Sequence, residues 1–408
     1  MSTPTSARTP VWFGPGDCDL DAFRTLVEVA TRAEDHPHAE DLERGVPVYG
    51  ERLRARLADP GDLAARREVQ AELVRALADG PGIVVFRGAF APRVVDRATA
   101  VFRALIAEQK AAGTGGGDHF AKPGANDRVW GALDKFALRE PAAFADYYAA
   151  DVLALVCEAW LGPGYQVTSQ VNVVNPGGTA QRAHRDYHLG FMDREQALRY
   201  PAHVHALSPA LTLQGAVAHV DMPVESGPTL YLPHSQKHPA GYVAFHQPEF
   251  TAYFEEHRVQ LPLAKGDAVF FNPALLHGAG SNTSADVERM ANLLQVSSAF
   301  GRAMETVDTR SVSSAVFGVL RERRAAGAPE SWLRDVVAVA AEGYAFPTDL
   351  DRDQPVGGLA PASQADLLWR ALVEDWDQRR LDDELDAAQE RRGGGPRRGG
   401  ADRPASTG

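Results

Sequence analysis

His184 and Asp186 stand two residues apart, and a second histidine, His277, follows much later, with Arg289 after it. Two imidazoles and one carboxylate are the donor set that holds Fe(II) on one face and leaves the opposite positions open. Side chains alternate across a strand, so residues at i and i+2 share a face. On an extended segment His184 and Asp186 therefore project into the same space, and Arg185 points away. Two ligands from one strand do not complete a site. His277 is the best third ligand, because Pro273 and Gly278 frame it at the end of the turn and strand Gly266-Asp-Ala-Val-Phe-Phe-Asn272. An arginine buried in a barrel interior needs an anion. The far carboxylate of 2-oxoglutarate would form a bidentate pair with Arg289. A protein acid such as Asp286 or Glu288 is the alternative partner.

The stretch between the two ligand histidines holds further imidazoles: His188, His203, His205, His219, His234, His238, His246 and His257. His188 lies four residues beyond His184 and would share its face if the strand continued. Their Cα atoms would then be about 13 Å apart, too far for one ion with bonds of roughly 2 Å. His188 is therefore assigned to the substrate pocket or its cover. His219 falls on a strand that crosses the centre of a sheet, where it either faces substrate or is a satisfied core histidine.

The elements that must position these groups are legible in outline. Helical spacing marks Asp19–Ala33, Leu63–Ala78 (capped by Asp62) and a helix from Pro92 to about Ala111. Gly45, Pro47 and Gly50 interrupt the pattern between the first two, leaving at most a short helix over Glu51–Leu57. Gly82-Ile-Val-Val-Phe-Arg-Gly88 reads as a buried strand. Strand-like segments then dominate: Tyr165–Asn175, Ala210–Asp221, Thr229–Leu232, Val259–Leu263, Ala268–Asn272 and Ala291–Ala299. Helical patterns return over Ser313–Arg324, Ser331–Ala341 and Ala362 to about Arg391. Short strands between Pro and Gly turns predict a sandwich or barrel. The fold class expected is α+β, a double-stranded β-helix (jelly-roll) core braced by N- and C-terminal helices.

The formal charge of -12 argues against nucleic acid or an anionic membrane as partner. The two cysteines, Cys18 and Cys157, form no disulfide framework and suit a reducing compartment. Met1–Pro10 lacks an apolar signal region, and no apolar run has the length of a membrane span. A cytoplasmic location is expected. The Gly/Arg/Pro-rich end reads as a solvated terminus rather than an RNA-binding tail.

With these residues in place, Tyr165 to Gly301 resembles the phytanoyl-CoA dioxygenase family of Fe(II)/2-oxoglutarate-dependent oxygenases. The resemblance rests on His184-Arg-Asp186, then Glu225-Ser-Gly-Pro-Thr-Leu230, then Pro233-His-Ser-Gln236, then Leu263-Ala-Lys-Gly-Asp-Ala-Val-Phe-Phe271 before His277, and finally Arg289. Ser226 stands where the family usually has asparagine, and the Pro233–Gln236 turn differs at its second and fourth residues. The resemblance implies Fe(II) held by His184, Asp186 and His277, with 2-oxoglutarate as co-substrate anchored by Arg289, and O2 as oxidant. The products would be succinate, CO2 and a small-molecule metabolite oxidised at an unactivated C–H bond. A full carboxylate at Asp186 separates the chain from halogenating relatives, which carry a small residue there. The family also uses polar residues on the strand before the His-x-Asp turn to contact 2-oxoglutarate, and Gln170 and Asn172 share a face there. Lys122, after the glycine-rich stretch Gly113–Gly117, is read as an exposed loop lysine, with a role over the site as the rival.

The resulting organisation is a disordered N-terminus over 1–10, a single oxygenase domain over 11–391, and a disordered tail over 392–408. The domain divides into helical bracing over 18–160, a jelly-roll core over about 165–301 and C-terminal helices over 313–391. The alternatives are a jelly-roll metal-dependent hydrolase with three ligands and a bound water, or a metabolite-binding module without turnover. No phosphate-binding loop or basic cluster argues for CoA, and nothing in these residues sets the oligomeric state.

Overall fold

A computed structural model describes residues 10–114 and 125–393. Lys122, Gly115–Gly117 and most of the terminal segments expected to be disordered lie outside the described residues. Eleven strands form: β1 (Asp41–Glu43), β2 (Val46–Tyr49), β3 (Ile83–Phe86), β4 (Asn126–Val129), β5 (Gln166–Val174), β6 (Thr212–Ala218), β7 (Leu230–Leu232), β8 (Val259–Gln260), β9 (Ala268–Phe271), β10 (Leu276–Gly278) and β11 (Arg289–Ser297). They make an eight-stranded sheet in the order β1-β2-β3-β9-β6-β11-β5-β4 and a three-stranded sheet in the order β10-β7-β8. All neighbours are antiparallel except β2 and β3.

From β5 onward the chain passes back and forth between the two sheets. It leaves β5, bridges the small sheet at His184, and returns to β6. It then crosses to β7 and β8, returns to β9, crosses to β10 and ends in β11. That alternation is the jelly-roll topology. Strands β1 to β3 extend one edge of the large sheet and β4 the other. The two sheets do not close into one hydrogen-bonded ring among the described residues. The result is a sandwich with an open cavity rather than a barrel.

Alternation along β11 serves both faces. Arg289, Ala291, Leu293 and Gln295 line the cavity between the sheets, while Met290 and Val296 join the apolar core on the other side. That core runs from Ala39 to Leu385 and is shared with the bracing helices before β5 and after β11. Asp62 caps Leu63–Ala78 by accepting from the Ala65 N–H, and Ser363 with Asp366 forms a capping box at Gln364–Val373.

Three elements depart from the sequence expectation. The first helix is only Leu20–Val27. Beyond it, the Thr31 hydroxyl donates to the Gly45 carbonyl (2.7 Å) and holds the chain out of helix. The breaker-rich segment that follows is the β1–β2 hairpin, turned by Arg44 and Gly45 at φ 51° and 80°. The C-terminal helix is two helices, Gln364–Val373 and Gln378–Arg391, separated where Asp375 takes φ 53°.

Candidate metal and co-substrate site

The metal-ligand candidates sit where the first crossover strand meets β10. The His184 N–H donates to the His277 carbonyl (2.8 Å) and the His277 N–H returns a bond to the His184 carbonyl (3.0 Å). The Asp186 N–H donates to the Pro273 carbonyl (2.9 Å). This pairing sets the two imidazoles side by side, centroids 4.5 Å apart and ring planes tilted by 49°. One donor atom from each of His184, Asp186 and His277 lies within 4.8 Å of the others. The carboxylate sits between the rings, Oδ1 3.5 Å from His184 Nε2 and Oδ2 3.5 Å from His277 Nε2.

The tautomers follow from the other ring nitrogens. Nδ1 of His184 lies 2.8 Å from the Arg182 carbonyl, and Nδ1 of His277 lies 2.9 Å from the Leu275 carbonyl. A carbonyl only accepts, so each Nδ1 carries a proton, which leaves Nε2 as the nitrogen that would face a metal. Hydrogen bonds of this kind orient metal-ligating histidines. Burial alone would raise the Asp186 carboxyl, but the neighbouring His184 and His277 imidazoles and the Gln214 amide hold it well below the usual carboxylate range. Two imidazoles presenting Nε2 and an ionised carboxylate are a donor set that fits a divalent first-row ion.

Arg185, expected only to point away, is buried and braces this segment from behind. Its guanidinium donates to the carbonyls of Ser235 and His238 and lies over the Tyr242 ring. A Cβ at Gly241 would come within 1.8 Å of Arg185 Cζ, so only glycine leaves room. The Tyr242 hydroxyl donates to the Asp186 carbonyl (3.3 Å). The Ser235 hydroxyl accepts from the Leu276 N–H (2.8 Å), next to His277. The Pro233-His-Ser-Gln236 motif was the sequence signal for this support, although its role was not readable there.

The three candidates line one cavity of about 1020 Å³ between the sheets. Arg289 lines it too. Burial lowers its guanidinium to about 10. Its Nη1 donates to the Gly280 carbonyl (3.2 Å), and no carboxylate lies within ion-pair distance among the described residues. Glu288 instead pairs with Arg103 (3.1 Å). Asn172 faces the same cavity with its Oδ1 buried and unpartnered among the described residues. Gln170 also lines it, but its amide is engaged by Arg128 and Gln295.

Two candidates for substrate contact are elsewhere. His219 is in the core behind the large sheet, where Nδ1 meets the Thr99 hydroxyl (2.8 Å) and Nε2 the Tyr147 hydroxyl (3.0 Å). The strand carrying it ends before it at Ala218, and both ring nitrogens are satisfied away from the cavity. The extended segment of His184 does not continue to His188, because Tyr187 and His188 take φ 62° and 47° and turn the chain into a short 3-10 helix. His188 is not among the cavity-lining residues; its neighbours Gly190, Phe191 and Met192 are.

A sequence model of the phytanoyl-CoA dioxygenase (PhyH) family matches residues 78–291. The chain belongs to this family, and it is a non-haem iron, 2-oxoglutarate-dependent enzyme. No curated protein matches. Among solved structures, the chain is similar to the non-heme alpha ketoglutarate dependent epimerase SnoN from nogalamycin biosynthesis, with 21% identity over 59% of this chain and 82% of that one, TM-score 0.39. It is similar to the carbocyclase SnoK of the same biosynthesis, with 22% identity over 57% and 86%, TM-score 0.40. It is also similar to AviO1 from Streptomyces viridochromogenes Tue57, with 17% identity over 57% and 96%, TM-score 0.41.

Proposed function

We propose that the chain oxidises an unactivated C–H bond of a bulky small-molecule metabolite, by hydroxylation or a related oxidation, while 2-oxoglutarate becomes succinate and CO2. In this reading His184, Asp186 and His277 hold Fe(II), and Arg289 binds the far carboxylate of 2-oxoglutarate. Asn172 offers its amide along the same wall. The bound iron with its co-substrate supplies the activation of O2. The chain's own part is to hold, orient and keep dry. Met222, Leu261, Leu263, Phe271 and Leu293 wall the cavity with apolar surface.

The observation that carries the reading is Arg289, a buried cation without an acid partner among the described residues, facing the same cavity as the three donors. A metal-dependent hydrolase has no use for it. Burying an uncompensated charge is costly, and a dicarboxylate removes that cost. The cavity volume is at the upper end of the range of roughly 300–1,000 Å³ for small-molecule pockets, which favours a bulky substrate once 2-oxoglutarate is seated. The net charge of -12 favours a small molecule over nucleic acid. Among the described residues no helix is long and apolar enough to cross a membrane; the proposed compartment is the cytoplasm.

The test is succinate release by the purified chain with Fe(II), 2-oxoglutarate and O2, with and without a metabolite library, with products read by mass. The expected result is substrate-stimulated succinate and a product carrying one more oxygen or two fewer hydrogens. Iron-loaded protein that binds 2-oxoglutarate equally well with and without the Arg289 guanidinium would overturn the reading.

A further inference from the structure

Two hydrogen-bond chains of fixed polarity run along the inner face of the large sheet and stop at adjacent residues. The first starts at Arg128 on β4. A guanidinium only donates, and its Nη2 reaches Gln170 Oε1. That orients the Gln170 amide, whose Nε2 donates to Gln295 Oε1 (3.3 Å). Gln295 is thereby oriented as well, and its Nε2 makes no hydrogen bond among the described residues. The second chain starts at the Asp186 carboxylate, which only accepts when ionised. Gln214 Nε2 donates to Asp186 Oδ2, and Gln214 Oε1 is left buried and unpartnered among the described residues. An amide's O and N are ordinarily assigned from such networks; here a donor-only and an acceptor-only group fix both ends.

Gln214 and Gln295 are direct cross-strand partners on β6 and β11, and both line the cavity. Partners in an antiparallel pair have Cβ atoms about 4.5–5.5 Å apart. One spare acceptor and one spare donor thus stand side by side in the wall, beside the carboxylate proposed to hold iron. Both residues are nearly fully buried.

We propose that the Gln214–Gln295 pair is a recognition subsite for the prime substrate, and that it takes a neutral group able to donate and accept at once, a hydroxyl or a carboxamide. A carboxylate cannot donate to Gln214 Oε1, and an ammonium cannot accept from Gln295 Nε2. The subsite selects neutral hydroxylated or amide-bearing molecules and holds the polar group next to the metal centre. Calling the ligand a substrate rests on the oxygenase reading; the donor–acceptor pairing does not.

The experiment uses four matched probes: 2-naphthol, 2-naphthamide, 2-naphthoate and 2-naphthylmethylammonium. Each is titrated anaerobically into the full chain loaded with Fe(II) and 2-oxoglutarate, and dissociation constants are read by calorimetry or ligand-observed NMR. The naphthol and naphthamide are expected to bind at least about tenfold more tightly than the two ions. Gln295→Leu should abolish the discrimination against the ammonium probe and keep that against the naphthoate, and Gln295→Glu, which replaces the donor by an acceptor, should favour the ammonium probe. Equal affinities for the four probes in the wild-type chain would overturn the proposal, as would an unchanged ranking in Gln295→Leu. The wild-type ranking decides even if a variant does not fold. Ranked probes without succinate release would leave the subsite and remove the oxygenase reading; succinate release with unranked probes would do the reverse.

Discussion

The Arg185 guanidinium donates to the carbonyl of Ser235, and the Ser235 hydroxyl accepts from the N–H of Leu276. One buried serine thereby ties the segment of His184 and Asp186 to the segment of His277. Replacing Arg185 by Met removes both guanidinium bonds to the Ser235 and His238 carbonyls, at about 1.5–3 kcal/mol each for a charged donor. The Fe(II) affinity of Arg185→Met is expected to fall by about 10- to 100-fold, as for other outer-shell losses. Metal titration of the purified protein measures it, and an affinity equal to wild type would refute the tie.

Gly241→Ala attacks the same brace by overpacking. The added Cβ would meet Arg185 Cζ at 1.8 Å, so the guanidinium must move out of a filled site. The expected cost is about 1–3 kcal/mol, seen as a lowered Tm together with weakened Fe(II) binding. A melt superimposable on wild type would place the guanidinium elsewhere.

Arg289→Ala should separate co-substrate binding from metal binding. Loss of a charge-assisted contact of about 1.5–3 kcal/mol predicts a KM for 2-oxoglutarate raised by about 10- to 100-fold, with Fe(II) affinity retained. His184→Ala and His277→Ala should instead lose iron binding and succinate formation together. Steady-state kinetics in 2-oxoglutarate, beside metal titrations of the three variants, tests the division of roles.

Acid should destabilise the fold through buried histidines that are not candidate metal ligands. Burial pushes the His219 imidazole down to about 3. Burial, with Lys237 or Arg185 respectively, pushes His234 and His238 down to about 4. Their unfolded pKa is about 6.5, so the folded state resists protonation. The stability they contribute is fully present above about pH 6.5 and is lost as pH falls toward 4 and then 3. The loss approaches about 1.4 kcal/mol per pH unit for each group. Urea unfolding at several pH values between 7 and 4 measures this slope. His219→Gln should flatten it by about one proton's worth; an identical slope would mean that this ring does not titrate on unfolding.

Much of the site was readable because its signals are local. The i, i+2 spacing of His184 and Asp186 works on any extended stretch, and a single reciprocal backbone pair with His277 suffices to use it. Strands β5 to β9 and β11 were legible because apolar and β-branched runs lay between Pro and Gly turns, whereas the three-residue β10 was too short to show such a pattern. The β1–β2 hairpin was not legible either, since its turn uses Arg44 at positive φ, a residue with no preference for that region. That His188 does not line the cavity, and that His219 is the satisfied core histidine rather than a substrate contact, was not readable for a related reason. The backbone reversal at Tyr187 and the satisfaction of His219 by Thr99 and Tyr147 depend on conformations and distant helices that a periodicity does not encode.

The sequence by itself determined the donor types, their order and the alternation that puts His184 and Asp186 on one side, because these follow from side-chain chemistry and the two-residue repeat of a strand. Only the tertiary structure decided which of many histidines meet, that Arg289 has no acid among the described residues to neutralise it, and that Gln214 faces Gln295. Those outcomes depend on the register between strands far apart in the chain, where a shift of one residue would turn each of these side chains to the opposite face.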